Sequence, residues 1–517
     1  MEFVDRQKEF VRLQAALKRE KPQFIVVYGR RRIGKSTLIK KVMDFERGDI
    51  YFLADKTAEP SQRQLFSSLI DMSIEGFSMA NYPNWESVLL SLNRSIDHRI
   101  TVCLDEFPYL VKSCPALPSI LQRLIDDKKL KYDLIICGSS QQMMQGFVLD
   151  STEPLYGRAD EIMKMKPIAP SFIGEALGCD AEQAVREYAV WGGVPRYWEL
   201  RKNYGSLHEA IENLMLTSEG TLYDEPSRLL QDEMRDTVQA SSILSYIGNG
   251  ANKLSEIAAR AEKQATDITP HLSRLRELGF INKEVPFGES EKKSKKGLYH
   301  ISDPLLCFHY RYVLPYRSLI ELDNSGAVLD VFRKSENEYV SQVWEELCRN
   351  YISSHGVNGI LYKLASRWWG SYYDEEKEDF IPVELDVVAE GGLHIHAVLA
   401  GGLVEQLAVP VEAEHRELIS YIQTDESLMD LVLGEIVLEG SVNRHEEVQR
   451  FALLVDIDGT VQIVHPFEIG QIGSLHHTAA DACKQSVAPR NAVSVEDIDS
   501  EVVVAVANRA HGTHSLN

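Results

Sequence analysis

Four residues near the start of the chain have types and spacing suited to holding phosphate. Gly29, Gly34, Lys35 and Ser36 fit the pattern GxxxxGK[ST]. Glycines allow a backbone to wrap closely around phosphate oxygens, and the helix that follows such a loop directs the positive end of its dipole at them. Lys35 would reach the β- and γ-phosphates of a nucleotide, and Ser36 would bind its Mg²⁺ ion. The pattern therefore predicts a nucleotide-binding P-loop.

The segments on either side of this loop support the same prediction. An apolar run, Phe24–Tyr28, leads into the loop and an amphipathic segment leaves it from Thr37. A chance Gly/Lys turn would not need both flanking elements. We expect Arg32, Ile33 and Thr37 to contact the nucleotide as well. The arginine run 30–32 could assist phosphate binding, although arginines on a loop more often face solvent.

A second set of polar residues follows two later apolar runs. Asp105 and Glu106 end the run ITVCL, where Asp105 suits support of Mg²⁺ and Glu106 suits activation of the attacking water. An acidic pair after a strand is otherwise a solvated turn. Ser139 and Ser140 end the run DLIICG, where a polar side chain could sense the γ-phosphate or simply cap a helix. Downstream, Arg158 could reach the ATP of a neighbouring subunit as an arginine finger, or form a surface salt bridge.

Apolar runs separated by amphipathic segments predict an α/β fold with a parallel sheet covered on both faces. The four predicted strands are Phe24–Tyr28, Ile50–Leu53, Ile100–Leu104 and Leu134–Cys137.

Composition limits the classes of protein to consider. The chain has 517 residues, a length that predicts several domains, and a formal net charge of −22, which argues against nucleic-acid binding by the whole surface. Its 7 cysteines show no CxxC pair, as is typical of reduced thiols. With no run of apolar residues long enough to span a membrane and no signal-peptide pattern, we expect a cytoplasmic protein.

Basic residues gather locally in a segment that resembles a helix-turn-helix with a wing. The helix Thr266–Leu278 carries polar residues on one face, and the turn GESEKKSKKG that follows contains Lys292, Lys293, Lys295 and Lys296. Lysines on a turn suit phosphate contacts without sequence choice, so DNA is a candidate partner. A winged helix can equally serve as an internal packing module, and a lysine run as a solvated turn.

Several segments together resemble the archaeal-type predicted ATPases of the AAA+/STAND assemblage. They are FVDRQKEF, GRRRIGKST, LDEFPYL, CGSSQQMM, PLYGRADEIMKMKP, WGGVPRYWE, LYDEPSRLLQDEMRD and RWWG. The resemblance implies a P-loop ATPase core, a helical lid, a winged helix and a C-terminal α/β domain of the restriction-endonuclease type. The domain prediction is an ATPase core over 1–166, a helical lid over 167–238, a winged helix over 239–315, a linker over 316–335, a degenerate restriction-endonuclease-like domain over 336–470 and a polar tail over 471–517.

The resemblance also implies roles for residues outside the loop. Arg196 lies in the lid, where an arginine could contact the γ-phosphate as a second sensor or serve only as a structural residue. Asp5 and Arg6 lie in a segment that packs near the adenine in such ATPases.

In the C-terminal domain, the family places acidic side chains around one or two Mg²⁺ ions. The matching positions are Glu345, Asp386 and Glu412, of which the last begins a Glu-Ala-Glu triplet where the family has a lysine two residues on. That lysine helps to stabilise developing charge, so its absence puts nuclease chemistry in doubt.

These observations predict a Mg²⁺-dependent, ATP-hydrolysing switch whose nucleotide state controls its winged-helix and C-terminal modules. A homo-oligomer and a further protein partner are possible additions, and no membrane is expected. The alternatives are an ATP-dependent nuclease and a regulator that binds ATP without hydrolysing it.

Overall fold

The computed structural model describes residues 4–234, 236–355, 362–374, 379–391, 394–398, 407–410, 452–455 and 461–464. The chain divides into two compact units. The first comprises Met1–Asn282 and Tyr299–Arg333, and the second comprises Lys283–Leu298 and Lys334–Asn517. Among the described residues, none of the helices has the length and apolar character needed to cross a bilayer.

A five-stranded sheet with the order β2-β3-β4-β1-β5 forms the centre of the first unit. Each neighbouring pair is parallel, as the sequence predicts. Every residue of β1, β3 and β4 is buried, because both faces of the sheet are covered. The fifth strand was not predicted, since its four residues include only two apolar ones, flanked by Glu161 and Lys164, and so form no apolar run. The strands are β1 (Phe24–Tyr28), β2 (Ile50–Leu53), β3 (Thr101–Asp105), β4 (Asp133–Gly138) and β5 (Glu161–Lys164).

Helices connect and cover these strands, and further helices follow the sheet over the region predicted to be helical. Those within the sheet region are α1 (Gln7–Leu17), α2 (Lys35–Val42), α3 (Glu59–Asp71), α4 (Trp85–Ser95), α5 (Phe107–Ser113), α6 (Leu117–Asp126) and α7 (Gln141–Leu149). Those that follow are α8 (Ser171–Leu177), α9 (Ala181–Trp191), α10 (Pro195–Arg201), α11 (Leu207–Met215), α12 (Glu225–Glu233) and α13 (Thr237–Gly248).

The segment predicted as a helix-turn-helix with a wing contains two helices and two strands, and the helix predicted over Thr266–Leu278 lies one residue from its predicted bounds. The elements are α14 (Leu254–Arg260), α15 (Ala265–Glu277), β6 (Ile281–Glu284) and β7 (Leu298–Ile301), and the two strands pair with each other. Ile257, Leu272 and Leu275 bury the apolar sides of the two helices in one cluster with α13. Next come α16 (Pro304–Phe308), a π-helical segment His309–Val313 and α17 (Arg317–Ile320).

The segment expected to be a linker is largely helical. Helix α18 (Ser325–His355) begins within it and continues into the second unit. Val328, Leu329 and Phe332 are 0%, 3% and 0% exposed, so one face of the helix packs against the first unit's core. An apolar stripe at this spacing is typical of a docked helix. The boundary between the two compact units, Arg333/Lys334, falls within the predicted linker.

An antiparallel sheet with the order β11-β10-β9-β8 follows in the second unit, together with a separate pair β12 and β13. The strands are β8 (Tyr362–Asp374), β9 (Asp379–Gly391), β10 (His394–Val398), β11 (Leu407–Pro410), β12 (Ala452–Val455) and β13 (Val461–Val464). Glu412 and the polar tail predicted over 471–517 lie outside the described residues.

Candidate nucleotide-binding site

The loop between β1 and α2 has the backbone geometry of a phosphate cradle. Gly29 has φ +156°, and a Cβ atom there would lie 2.6 Å from the carbonyl oxygen of Met165. Gly34 has φ +93° and directly precedes α2, in a left-handed conformation that favours glycine. No side chain caps the first turn of α2. Its backbone N–H groups are therefore left for an anion at the positive end of the helix dipole.

Lys35 lies buried beneath the loop, with 5% of its surface exposed. Its Nζ donates to the carbonyl oxygens of Gly29 at 2.9 Å and Arg30 at 3.0 Å. An ammonium group has three donors, so these two bonds leave one for a phosphate oxygen. Ile33 is fully buried, whereas Thr37 is exposed on the first turn of α2.

Asp105, at the end of β3, lies directly beside the start of α2. Ser36 Oγ donates to Asp105 Oδ2 at 2.6 Å, the Tyr51 hydroxyl donates to the same oxygen, and the backbone N–H of Glu106 donates to Oδ1 at 2.8 Å. Burial raises the pKa of Asp105, but hydrogen bonds from Ser36, Tyr51 and Cys137 outweigh it and hold the pKa below its ordinary value. The carboxylate is therefore ionised and its orientation is fixed by several donors.

The hydroxyl of Ser36 and the carboxylate of Asp105 are both oxygen ligands of the kind that Mg²⁺ prefers. Their separation of 2.6 Å, beside a loop with open N–H groups, fits a Mg²⁺–nucleotide complex bound at this point.

Glu106 and Ser139 come together at the carboxyl ends of β3 and β4. Ser139 Oγ lies 2.9 Å from both carboxylate oxygens of Glu106. Glu106 has φ +54° and ψ +41°, a left-handed conformation that is uncommon for a residue with a side chain. Ser140, by contrast, caps α7 by accepting from the N–H of Met143. Ser140 is therefore the helix cap, whereas Ser139 contacts Glu106 and its role in sensing the γ-phosphate stays a prediction.

The arginine run of the loop makes ion pairs that the sequence did not reveal. Arg30 pairs with Asp303, Arg31 with Asp232 at 3.1 Å, and Arg32 with Glu225 at 2.6 Å. These carboxylates lie roughly two hundred or more residues further along the chain. The expectation that the arginines face solvent is correct only for Arg31, which is 48% exposed.

Two arginines assigned sensor or finger roles are engaged elsewhere. Arg158 donates to both carboxylate oxygens of Asp126, at 2.8 Å and 2.9 Å, within the same chain. Arg196 is 50% exposed and pairs with Glu199 one turn further along α10. The residue of α10 that does reach the loop is Tyr197, whose hydroxyl lies 3.2 Å from Arg30.

Arg6, in the segment expected near the adenine, is 4% exposed and packs against the loop. It donates to the carbonyl oxygens of Ile33 at 3.2 Å and Lys166 at 2.7 Å. Both Asp5 and Arg6 have positive φ, which places a sharp turn at the start of α1.

In the second unit, Glu345 and Asp386 lie close enough for their charges to interact. Burial raises the pKa of Glu345 to about 7, and repulsion from Asp386 adds to this. Arg349 approaches Glu345 at 3.8 Å and donates to the carbonyl oxygen of Asp386 at 2.8 Å. Within the described part of the chain, no group of three or more His, Cys, Asp or Glu residues is arranged to hold a metal ion. The third predicted ligand, Glu412, is not among those residues.

A parallel sheet, a glycine loop closed by α2, and acidic residues at the end of β3 define a P-loop ATPase fold. The chain matches a family model for an ATPase domain found predominantly in Archaea over residues 3–199. It also matches a model of archaeal and bacterial proteins of unknown function over residues 309–399.

A full-length relative extends this similarity beyond the ATPase domain. An uncharacterised protein of Methanocaldococcus jannaschii is 32% identical over 378 residues, which is 71% of this chain and 82% of the relative. The chain therefore belongs to this family of archaeal-type P-loop ATPases.

Solved structures show more distant likeness. A Walker-type ATPase of Pyrococcus abyssi is 18% identical with a TM-score of 0.46, over 60% of this chain and 96% of that one. The ORC2 protein of Aeropyrum pernix, solved as ADPNP–ADP complexes, is 15% identical with a TM-score of 0.38, over 63% and 94%.

Proposed function

We propose that this protein is a Mg²⁺-dependent, ATP-hydrolysing switch of the AAA+/STAND type. The observation that carries the proposal is the pairing of Glu106 with Ser139 beside the contact of Ser36 with Asp105. A protein that only held ATP would need the contact between Ser36 and Asp105. It would not need the carboxylate of Glu106 at the same edge of the sheet.

Each residue has a defined task in this proposal. The loop N–H groups and Lys35 bind and orient the phosphates, and Ser36 with Asp105 holds the Mg²⁺ ion. That ion, when bound, neutralises charge on the phosphates. Glu106 orients a water molecule and accepts its proton, and Ser139 keeps the Glu106 carboxylate in place until the γ-phosphate arrives.

The test is ATP turnover by the purified protein, with and without duplex DNA, beside Glu106→Gln and Lys35→Ala. We expect Glu106→Gln to bind ATP with wild-type affinity and to lose about a hundredfold or more in turnover, since one positioned general base contributes 10²–10⁴-fold. We expect Lys35→Ala to lose nucleotide binding itself. Equal turnover by Glu106→Gln and wild type would exclude the proposed mechanism.

We propose further that α14, α15, β6 and β7 form a winged helix whose lysine-rich turn contacts duplex DNA. Lys292, Lys293 and Lys295 are exposed, and Thr269 and Ser273 are exposed on α15. Phosphate contacts of this kind make binding fall steeply with salt. Duplex binding that is absent at low salt would contradict this part of the proposal.

For the second unit we propose a degenerate restriction-endonuclease-like domain without cleavage activity. Arg367 pairs with Glu384 on the neighbouring strand, and Arg349 lies 3.8 Å from Glu345 and donates to the backbone carbonyl oxygen of Asp386, so nearby cations already offset the charges of Glu384 and Glu345. Cleavage of DNA by wild type with any divalent ion, lost on Asp386→Ala, would instead favour the ATP-dependent nuclease.

A further inference from the structure

The three arginines of the P-loop are held by carboxylates from two later parts of the first unit. We name the set of Arg30, Arg31, Arg32, Glu225, Asp232 and Asp303 the arginine frame. Glu225 and Asp232 lie in α12, and Asp303 precedes α16 and caps it by accepting from the N–H of Leu306 at 2.9 Å. The frame thus ties the phosphate-binding loop to two helices outside the sheet.

Two of the three pairs are buried, which makes their geometry costly to disturb. The side chain of Glu225 is 1% exposed and that of Asp303 is 6% exposed, against 23% for Arg32 and 12% for Arg30. A buried carboxylate that loses its cation is left as an uncompensated charge, which is strongly destabilising. Asp232 and Arg31 form a more exposed pair, which is worth far less.

Tyr197 joins two of these pairs into a network. Its hydroxyl accepts from Arg30 at 3.2 Å and donates to Glu225 at 3.1 Å, and the Arg30 guanidinium lies 5.7 Å from the centre of its ring. Burial raises the pKa of Tyr197 to about 12, so the hydroxyl keeps the proton that it donates.

The loop needs such an external hold because one of its residues is in a disfavoured conformation. Arg32 has φ +65°, in the left-handed region that a residue with a side chain adopts only at an energetic cost. Its ion pair with the buried Glu225 stabilises this conformation. The same loop shape presents the N–H groups that phosphates require, so nucleotide binding and formation of the frame favour each other.

From these contacts we propose that Glu225 and Asp303 are positioning residues for the phosphate-binding loop and couple ATP binding to α12 and α16. The inference rests on the proposed nucleotide site and specifies how that site is regulated. Linkage makes the coupling reciprocal: if the frame strengthens ATP binding, ATP binding must stabilise the frame to the same extent.

The first measurement is equilibrium binding of a fluorescent ATP analogue to wild type, Glu225→Gln and Asp303→Asn, with Asp224→Asn as the matched control. Asp224 is exposed and makes no capping hydrogen bond, so its change alters charge at the neighbouring position only. We expect Glu225→Gln and Asp303→Asn to bind about tenfold more weakly, within the usual range for coupling between sites. Asp224→Asn should bind as wild type does. Glu225→Gln keeps an oxygen for the Tyr197 hydroxyl, so the loss reports the charge.

The second measurement uses wild-type protein alone, so it does not depend on a variant that folds. We expect hydrogen exchange of α12 and α16 to slow when nucleotide binds, whereas α6, which takes no part in the frame, should be unchanged. Nucleotide binding that protects only the loop and α2 would overturn the proposal.

The outcomes separate the two proposals. If wild type fails to bind the analogue, the proposed function fails. If wild type binds and both frame variants bind equally well, only the coupling fails. Tighter binding by the variants would also overturn it, because the carboxylates would then compete with phosphate for the arginines.

Discussion

At the scale of single residues, Tyr51 is a member of the site that no sequence pattern indicated. It lies in β2 and donates to the same Asp105 oxygen as Ser36 does. Burial raises the pKa of its phenol, and the charge of Asp105 raises it further, so Tyr51 acts as a donor throughout the ordinary pH range. The ammonium group of Lys40 lies over the ring of Tyr51, 4.3 Å from its centre.

We expect Tyr51→Phe to weaken use of Mg²⁺ without weakening ATP binding in its absence. The variant removes one of several donors that orient Asp105, so the Mg²⁺ concentration for half-maximal turnover should rise about threefold to tenfold, as for loss of one ordinary hydrogen bond. The same shift should be seen in Mg²⁺ titrations of a bound fluorescent ATP analogue, which require no turnover.

Tyr132→Phe provides the control for Tyr51→Phe. Tyr132 is fully buried, and its hydroxyl lies 3.5 Å from the carbonyl oxygen of Leu89, remote from Asp105. Its loss should leave the Mg²⁺ dependence unchanged. If the two variants respond to Mg²⁺ alike, Tyr51 has only a packing role.

At the scale of elements, sequence patterns located the sheet and the loop because local chemistry determines both. The run FIVVY is buried on both faces, and the glycine spacing of the loop follows from close approach to phosphate. The arginine frame could not be predicted from the sequence, since an ion pair such as Arg30 with Asp303 depends on the tertiary packing of distant segments. The first turns of α18 were missed for a similar reason, because their apolar stripe is short and its partners come from the first unit.

The division into two compact units runs through the predicted helix-turn-helix with a wing. The predicted core, lid and helix-turn-helix elements lie in one compact unit, while the lysine-rich turn between β6 and β7 belongs to the other. Within that second unit, the backbone N–H of Phe287 donates to the carbonyl oxygen of Arg367 at 2.9 Å, and Glu284 lies 3.7 Å from Arg349. The sequence of a lysine-rich turn indicates only a solvated loop. It gives no sign of the backbone contacts that the neighbouring residues make.

The π-helical segment His309–Val313 leads to a prediction on acid stability. His309 is 8% exposed, and burial lowers its pKa to about 4, with the charge of Arg317 acting in the same direction. The ordinary value is 6.5, so the unfolded chain takes up this proton first as the pH falls. The stability that a neutral His309 contributes is complete above about pH 6.5 and is lost progressively as the pH falls towards 4.

We expect His309→Phe to make unfolding of the first unit less sensitive to acid. Between pH 7 and pH 5, the wild-type free energy of unfolding should fall by about 2 kcal/mol more than that of the variant. Phenylalanine retains an aromatic edge against Tyr310, whose ring centre lies 5.2 Å from that of His309. Urea unfolding at both pH values gives the comparison, and equal losses for the two proteins would show that His309 is not titrating.

At the scale of the whole molecule, the exposed pair of Arg158 with Asp126 bears on whether the proposed ATP hydrolysis needs a second copy of the chain. Arg158 is 27% exposed and its guanidinium is held by Asp126, which is 47% exposed. An exposed ion pair of this kind is worth at most about 1 kcal/mol. A phosphate from a neighbouring subunit could therefore draw Arg158 away from Asp126, and an arginine finger contributes 10³–10⁵ in rate.

We predict that ATP turnover per molecule rises with protein concentration and that Arg158→Ala abolishes this rise. Asp126→Asn is the matched control, because it breaks the same intramolecular pair while keeping the arginine. Both variants lose the salt bridge between Arg158 and Asp126. If Arg158 contacts the ATP of a neighbouring subunit, Asp126→Asn should retain the concentration dependence of turnover and Arg158→Ala should lose it. Turnover should be measured over a concentration series beside the mass of the assembly by light scattering. Two results would contradict the prediction: wild-type turnover per molecule that does not change with concentration, or the same loss of concentration dependence in Arg158→Ala and Asp126→Asn. Either result would mean that Arg158 forms only the salt bridge and that one chain contains the complete ATPase site.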